Sequence, residues 1–235
     1  MNTTLLRLSA QALFGRRRGV VLLLIPAALL VLSVFVRLLT DKQVGVDAAV
    51  GLGYTLALPL VALLASTAVL GPEVDDGSIV YLLAKPVSRH VIAVSKFATA
   101  WGATMALGAL PLFVAAVVLD PSEPRRAVAI GIGAAVAGTV YTALFLGLAA
   151  LTRHAVVIGL LFALLWEGAL GSVFAGVRWL SIGAWGREVA SAISPAVDAA
   201  GTGLAYGVVT ATLVTVVAVW FTGDRLRSFT LRGDE

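Results

Sequence analysis

Six stretches of this chain are apolar for about twenty residues each, and the polar positions fall between them rather than within them. The stretches are 19–39, 48–70, 97–119, 127–151, 155–177 and 199–222. A helix needs roughly 20 residues at about 1.5 Å each to cross about 30 Å of hydrocarbon, so each stretch is predicted to be a transmembrane helix. The alternating pattern of barrel strands is absent, and in lipid only helices and closed barrels satisfy every backbone polar group. The expected fold class is therefore all-α, a polytopic bundle of six transmembrane helices. Pro26, Pro59 and Pro111 lie inside spans, where each removes a backbone donor and can kink its helix. Gly203 and Gly207 form a small-residue pair that lets another helix approach, within the chain or across a subunit interface. No internal repeat marks the inverted halves found in many secondary transporters.

The polar segments carry patterns of their own. Residues 1–18, with Leu5, Leu6, Leu8, Ala12 and Leu13 beside Arg7, Arg16, Arg17 and Arg18, read either as an amphipathic helix at the membrane interface or as a basic tail that sets topology. Residues 178–198 place Trp179, Ile182, Trp185 or Gly186, Val189 and Ile193 at helical spacing. Arg187, Glu188 and Ser191 fall elsewhere on the wheel, which predicts an interfacial helix with Trp179 and Trp185 as headgroup-level anchors. Between the second and third spans, residues 71–96 predict a short helix that opens on Glu73, Asp75 and Asp76, suited to a positive helix start, and reaches Lys85 at its negative end. Pro86 stops it, and Ser88 is positioned to cap a second helix. Ile79, Leu82, Leu83 and Pro86 share one face of the first helix, a ridge that either docks a partner or lies back on the membrane or bundle.

Composition agrees with the pattern. Of 235 residues, 60% are hydrophobic and 13% charged, against about half and a quarter in soluble domains. With no cysteine, disulfides and thiolate metal sites are excluded. The 17 Lys and Arg are scattered between apolar blocks and form no basic stripe, so no nucleic-acid partner is expected. Arg7, Arg16, Arg17, Arg18, Lys85, Arg89, Lys96, Arg153, Arg225, Arg227 and Arg232 fall on the side of the termini. The opposite side holds Arg37, Lys42, Arg125, Arg126, Arg178 and Arg187, and the asymmetry places both termini in the cytoplasm. Arg125 and Arg126 run against it, with Asp120 and Glu123 close by to offset them. Glu167 is the one carboxylate well inside an apolar run. It is expected to serve the transport route or its outer gate, or to act as a structural pair or cap where the helix breaks near Gly168, the third reading being that the span boundary drawn there is misplaced. No Gly-Lys-Ser/Thr ending of a phosphate loop occurs, nor a zinc-binding His-Glu-x-x-His helix or a Gly-x-Ser-x-Gly elbow.

The string Glu73-x-x-x-Gly77-Ser78-Ile79-x-Tyr81-Leu82-Leu83-x-Lys85-Pro86-Val87-Ser88-Arg89, followed by Ile92 and Lys96, resembles the first cytoplasmic loop of type-2 ATP-binding-cassette permeases, above all their small six-span bacterial members. Span count, length and loop position agree with that family; Ser78 stands where many members have threonine. The resemblance implies a permease domain over 1–235, with a connecting helix at 1–18, a coupling helix within 71–96 and short outer-leaflet helices at 178–198. It implies that Glu73, Asp76, Gly77, Ile79, Tyr81, Leu82, Leu83, Pro86 and Arg89 dock onto a separate ATPase subunit, present in two copies. A second permease chain, as homodimer or heterodimer, would complete an exporter in a bacterial inner membrane. ATP and Mg would sit on the partner, with no cofactor in this chain. Spans two and five would line the route, with Tyr54, Thr55, Leu63, Ser66, Phe162, Glu167 and Leu170 as candidates. Two rivals stand beside this reading: a non-transporting anchor or assembly component recruiting a cytosolic partner, and a membrane-embedded enzyme acting on lipid.

Overall fold

The computed structural model describes residues 18–39, 42–75, 88–170 and 175–228, and among these residues there are helices and turns but no strand. Helix α1 spans Arg18–Leu39. Helix α2 is continuous through Lys42–Leu52, Gly53–Ala57 and Leu58–Asp75, with its middle piece wound as a π-helix. Helix α3 is built the same way from Arg89–Thr104, a π-helical Met105–Ala109 and Leu110–Leu119. Helix α4 spans Pro124–Leu151. Helix α5 joins Ala155–Leu161 to a π-helical Phe162–Leu170. After a 3₁₀ turn at Ala175–Leu180 come α6, Ile182–Ile193, and α7, Leu204–Ser228.

Five of these helices are long and apolar enough to cross a membrane, and the sixth apolar segment, Ala155–Leu170, is shorter than the 155–177 span expected from sequence. The far end of the bundle carries the turn between α3 and α4 and all of α6. The near end carries the α4–α5 turn and the tips of α2 and α3 that flank residues 76–87.

Helix α4 is the centre: 67% of its spanning stretch is buried, against 11% for α7 and 22% for α1. Its sequence explains this position. In a bilayer apolar surface alone does not draw helices together, and close packing at small residues does. A Cβ on Gly138 would lie 3.0 Å from Met105 Cε and 3.2 Å from Thr104 Cγ2. A Cβ on Gly133 would strike the Gly186 carbonyl and come within 2.5 Å of the Tyr54 hydroxyl. Where backbones meet this closely, hydroxyls join them: Thr142 Oγ1 donates to Thr104 Oγ1 at 2.9 Å, and Ser66 Oγ donates to the Thr142 carbonyl at 3.2 Å.

Pro59 in α2 and Pro111 in α3 each come just after a π-helical turn, and the two features have one cause. Pro59 has no N–H to give to the carbonyl one turn back, and its ring crowds that carbonyl. The helix widens instead, so that the Leu58 N–H donates to Gly53 O, five residues back. Leu110 donates to Met105 O in the same way, directly before Pro111. Pro26 lies within the helical run of α1.

Several long-range ties fix the ends. At the far end Arg126 Nη2 lies 2.6 Å from Asp47 Oδ1, bridging α4 and α2, and Arg125 Nε donates to Ile193 O at 2.8 Å. Asp120 accepts from Ser122 in its own turn, and the carboxylate that meets Arg126 comes from another helix. At the near end Lys96, 3% exposed, donates to Val69 O at 2.9 Å and ties α3 to α2. Ser88 caps α3 as its sequence suggests, accepting from Val91 N at 3.4 Å.

The glycine pair divides. Gly203 has φ +85° with open space around it and serves the turn before α7, whereas a Cβ on Gly207 would sit 3.6 Å from Trp185 Cα on α6.

Substituting Gly133 by Val is expected to destabilise the protein by about 1–3 kcal/mol through overpacking against Gly186 and Tyr54, whereas Gly102→Ala, which meets nothing within 4 Å, should be neutral. Thermal melts of the purified variants in detergent check this pair.

Candidate functional site

The far-end site begins with the interrupted path of the chain after α5. Helix α6 starts inside the bundle, so its first N–H groups need acceptors from the protein itself. Ser181, in extended geometry at φ −88° and ψ 120°, is the N-cap, and its Oγ accepts from Ala184 N at 3.1 Å. Glu167 on α5 supplies the rest. Its Oε1 accepts from Ile182 N at 2.8 Å, and its Oε2 accepts from Ser181 Oγ at 2.6 Å. The carboxylate is 2% exposed and faces the positive end of α6, where helix dipole and free N–H groups favour an anion. Of the two roles that sequence left open for Glu167, this geometry is a cap near Gly168.

Around the carboxylate the core closes with tyrosines. Tyr54, fully buried, donates from Oη to Ile130 O at 2.6 Å. The Tyr54 carbonyl is orphaned by the π turn, because Leu58 donates to Gly53 and the next residue is Pro59. Tyr141 Oη donates to it at 3.2 Å. Gly183 is wedged where these groups converge: a Cβ there would lie 3.3 Å from Glu167 Oε2, 3.3 Å from Tyr54 O and 3.4 Å from Tyr141 Oη.

Beside this cluster lies a cleft of about 550 Å³ lined by Ala48, Gly51, Leu52, Thr55, Glu167, Gly168, Arg178, Ser181, Arg187, Ala199 and Ala200. The structure thus brings two of the seven route candidates, Thr55 and Glu167, to one cavity. Tyr54, Leu63 and Ser66 are completely buried against other helices of the same chain, with Leu63 seated on Gly159. Phe162 is half-buried and meets Phe145 edge-on at 6.1 Å, and Leu170 is half-buried at the end of α5.

Sequence reasoning did not single out Ser181 or Tyr141 as partners of this site, and it left Arg178 and Arg187 as topology markers. A serine just before an apolar helical run was the available signal for the first; for Tyr141, inside an apolar run, there was none.

The second site expected from sequence is the docking segment. Glu73 lies in the last turn of α2 and Arg89 in the first turn of α3. Asp76, Gly77, Ile79, Tyr81, Leu82, Leu83 and Pro86 lie outside the described residues, as does nearly all of the 1–18 segment.

Helix α6 departs from the interfacial role expected of residues 178–198. Trp185 is 4% exposed, and its indole N–H donates to Trp179 O at 2.9 Å, so it is a core residue rather than a lipid anchor. Small residues cause this: a Cβ on Gly186 would come within 2.8 Å of Ala137 Cβ, so α6 presses into α4 instead of resting on the surface. Trp179 is half exposed and packs edge-on against Tyr206, with ring centroids 5.0 Å apart. Glu188 on α6 holds the entry to α7, accepting from Gly201 N and Gly203 N at 3.0 Å each, and both glycines have positive φ.

A protein-family profile described as ABC-2 family transporter protein matches residues 15–179, more than half of the chain and all of α1 to α5. No curated protein matches the chain.

Removing the cap should be costly. Glu167→Ala is expected to lose about 1–3 kcal/mol by leaving the Ile182 N–H and Ser181 Oγ unsatisfied, with Glu167→Gln, which keeps an acceptor oxygen, losing less. The order of the two melting temperatures checks the assignment. Tyr141→Phe should cost about 1 kcal/mol by freeing the Tyr54 carbonyl, and a loss no larger than that of an exposed control would reject the link to the π turn.

Proposed function

The chain belongs to the ABC-2 transporter family, and we propose from this that it is the permease of an ATP-driven exporter, its near end facing the cytoplasm. Family membership makes it a multi-pass membrane component of an ATP-binding-cassette transporter that works with a separate ATPase subunit. The observation that carries the finer reading is the match over residues 15–179, which takes in the helices flanking the loop as well as the loop itself.

In this reading the loop from Glu73 to Arg89 docks on the ATPase, with Ile79, Leu82, Leu83 and Pro86 as the apolar ridge, Tyr81 and Gly77 shaping the contact, and Asp76 at its acidic start. Two permease chains and two ATPase subunits form the working unit. ATP binding on the partner, with its Mg, draws the docked loops together and turns the permease dimer from inward-open to outward-open. The route runs along α2 and α5, with Thr55 and Glu167 at its far end and Tyr54, Leu63, Ser66, Phe162 and Leu170 becoming accessible as the helices part. The bacterial inner membrane is the expected location.

Placing a charge on the ridge tests the reading. Leu82→Glu or Leu83→Glu is expected to reduce ATP-driven export at least tenfold in proteoliposomes while membrane insertion and melting temperature stay normal. Unchanged export together with unchanged ATPase binding would sink the docking assignment. An anchor that only recruits a partner would bind the ATPase but show no ATP-dependent flux in the unsubstituted protein.

A further inference from the structure

Arg187 sits half-buried on α6, its Nε is enclosed, and among the described residues no group accepts from that atom. Desolvating a cation without a counter-charge or acceptor is unfavourable, and such groups are ordinarily paired. The two buried carboxylates nearest in sequence are both committed elsewhere. Glu167 is occupied by Ser181 Oγ and Ile182 N, and Glu188 by Gly201 N and Gly203 N, so turning either toward Arg187 would uncap a helix or release a turn. The ion pair at this end of the bundle, Arg126 with Asp47, leaves Arg187 out. A second arginine, Arg178, lines the same cleft, is exposed, and has no carboxylate partner among the described residues.

We propose that this cleft is a binding site for an anionic group, a phosphate or carboxylate, held between Arg178 and Arg187. Guanidinium forks match such oxyanions in bidentate geometry, and the partly enclosed walls strengthen the interaction relative to open water. Glu167 does not cancel the site, because its charge is directed into the amino-terminus of α6. Ala199 and Ala200 keep this part of the lining small. A volume of about 550 Å³ accommodates the head of an amphiphile or a small organic anion. At the far end of the bundle both sources are within reach, a lipid-like molecule in the leaflet and a solute beyond it. The inference deepens the permease reading by naming the charge class handled at this end, and it rests on that reading only for which side of the membrane the cleft faces.

The test uses the full chain in a neutral detergent, titrated calorimetrically with short-chain phosphatidylglycerol, short-chain phosphatidylcholine and inorganic phosphate. The expected result is saturable binding of at least one of the two anions and none of phosphatidylcholine. Arg187→Gln and Arg178→Gln should each weaken binding about tenfold, the scale of losing one charge-assisted contact. Arg187→Lys should fall between. Phosphate binding as tight as phosphatidylglycerol assigns a soluble anion; binding of phosphatidylglycerol alone assigns an amphiphile. Either upholds the site. Equal binding of the zwitterionic lipid, no saturable binding of either anion, or unchanged affinity in Arg178→Gln, whose exposed position leaves folding intact, would overturn it. Because no ATPase is present, failure here leaves the docking of the Glu73–Arg89 loop untouched, and failure of docking leaves this binding untouched.

Discussion

A helix that stops inside a bilayer leaves donors and acceptors that water cannot reach, and this structure answers that constraint three times with a side chain from elsewhere in the chain. The π turn before Pro59 strands the Tyr54 carbonyl, and Tyr141 fills it from α4. The start of α6 exposes N–H groups, and Glu167 meets them from α5 through Ser181 and Ile182. The approach to α7 needs two glycines at positive φ, and Glu188 fixes their amides. Each repair is also a tie between helices, so the irregular places hold the bundle together as well as interrupting it.

These ties cluster at the far end, where α6 is packed into the bundle rather than laid across it. Gly133 and Gly186 allow the backbones of α4 and α6 to touch, and Gly183 leaves space for the carboxylate and two tyrosines to converge. The cleft beside them is therefore bounded on one side by a rigid hydrogen-bonded wall, while its arginines remain available.

The spans were legible in sequence because twenty apolar residues in a row have few other uses. The far-end site was not, for a physical reason. The partner of the Tyr54 carbonyl is 87 residues away, that of Arg126 is 79 residues away, and no local periodicity encodes such meetings. Sequence placed Trp185 at a membrane surface because tryptophan is common there. The glycines that draw α6 inward act only once α4 is beside them. Glu167 was marked as unusual from its surroundings, yet its cap became readable only when the helix start facing it had been located.

Lys96 adds a mechanical consequence. By donating to Val69 O it fastens the base of α3 to the last turns of α2, on either side of the segment from residue 76 to residue 87. Those two helices are thereby clamped like the legs of a staple whose crown is that segment. Moving one leg therefore strains its bond to the other, and both legs pack against α4.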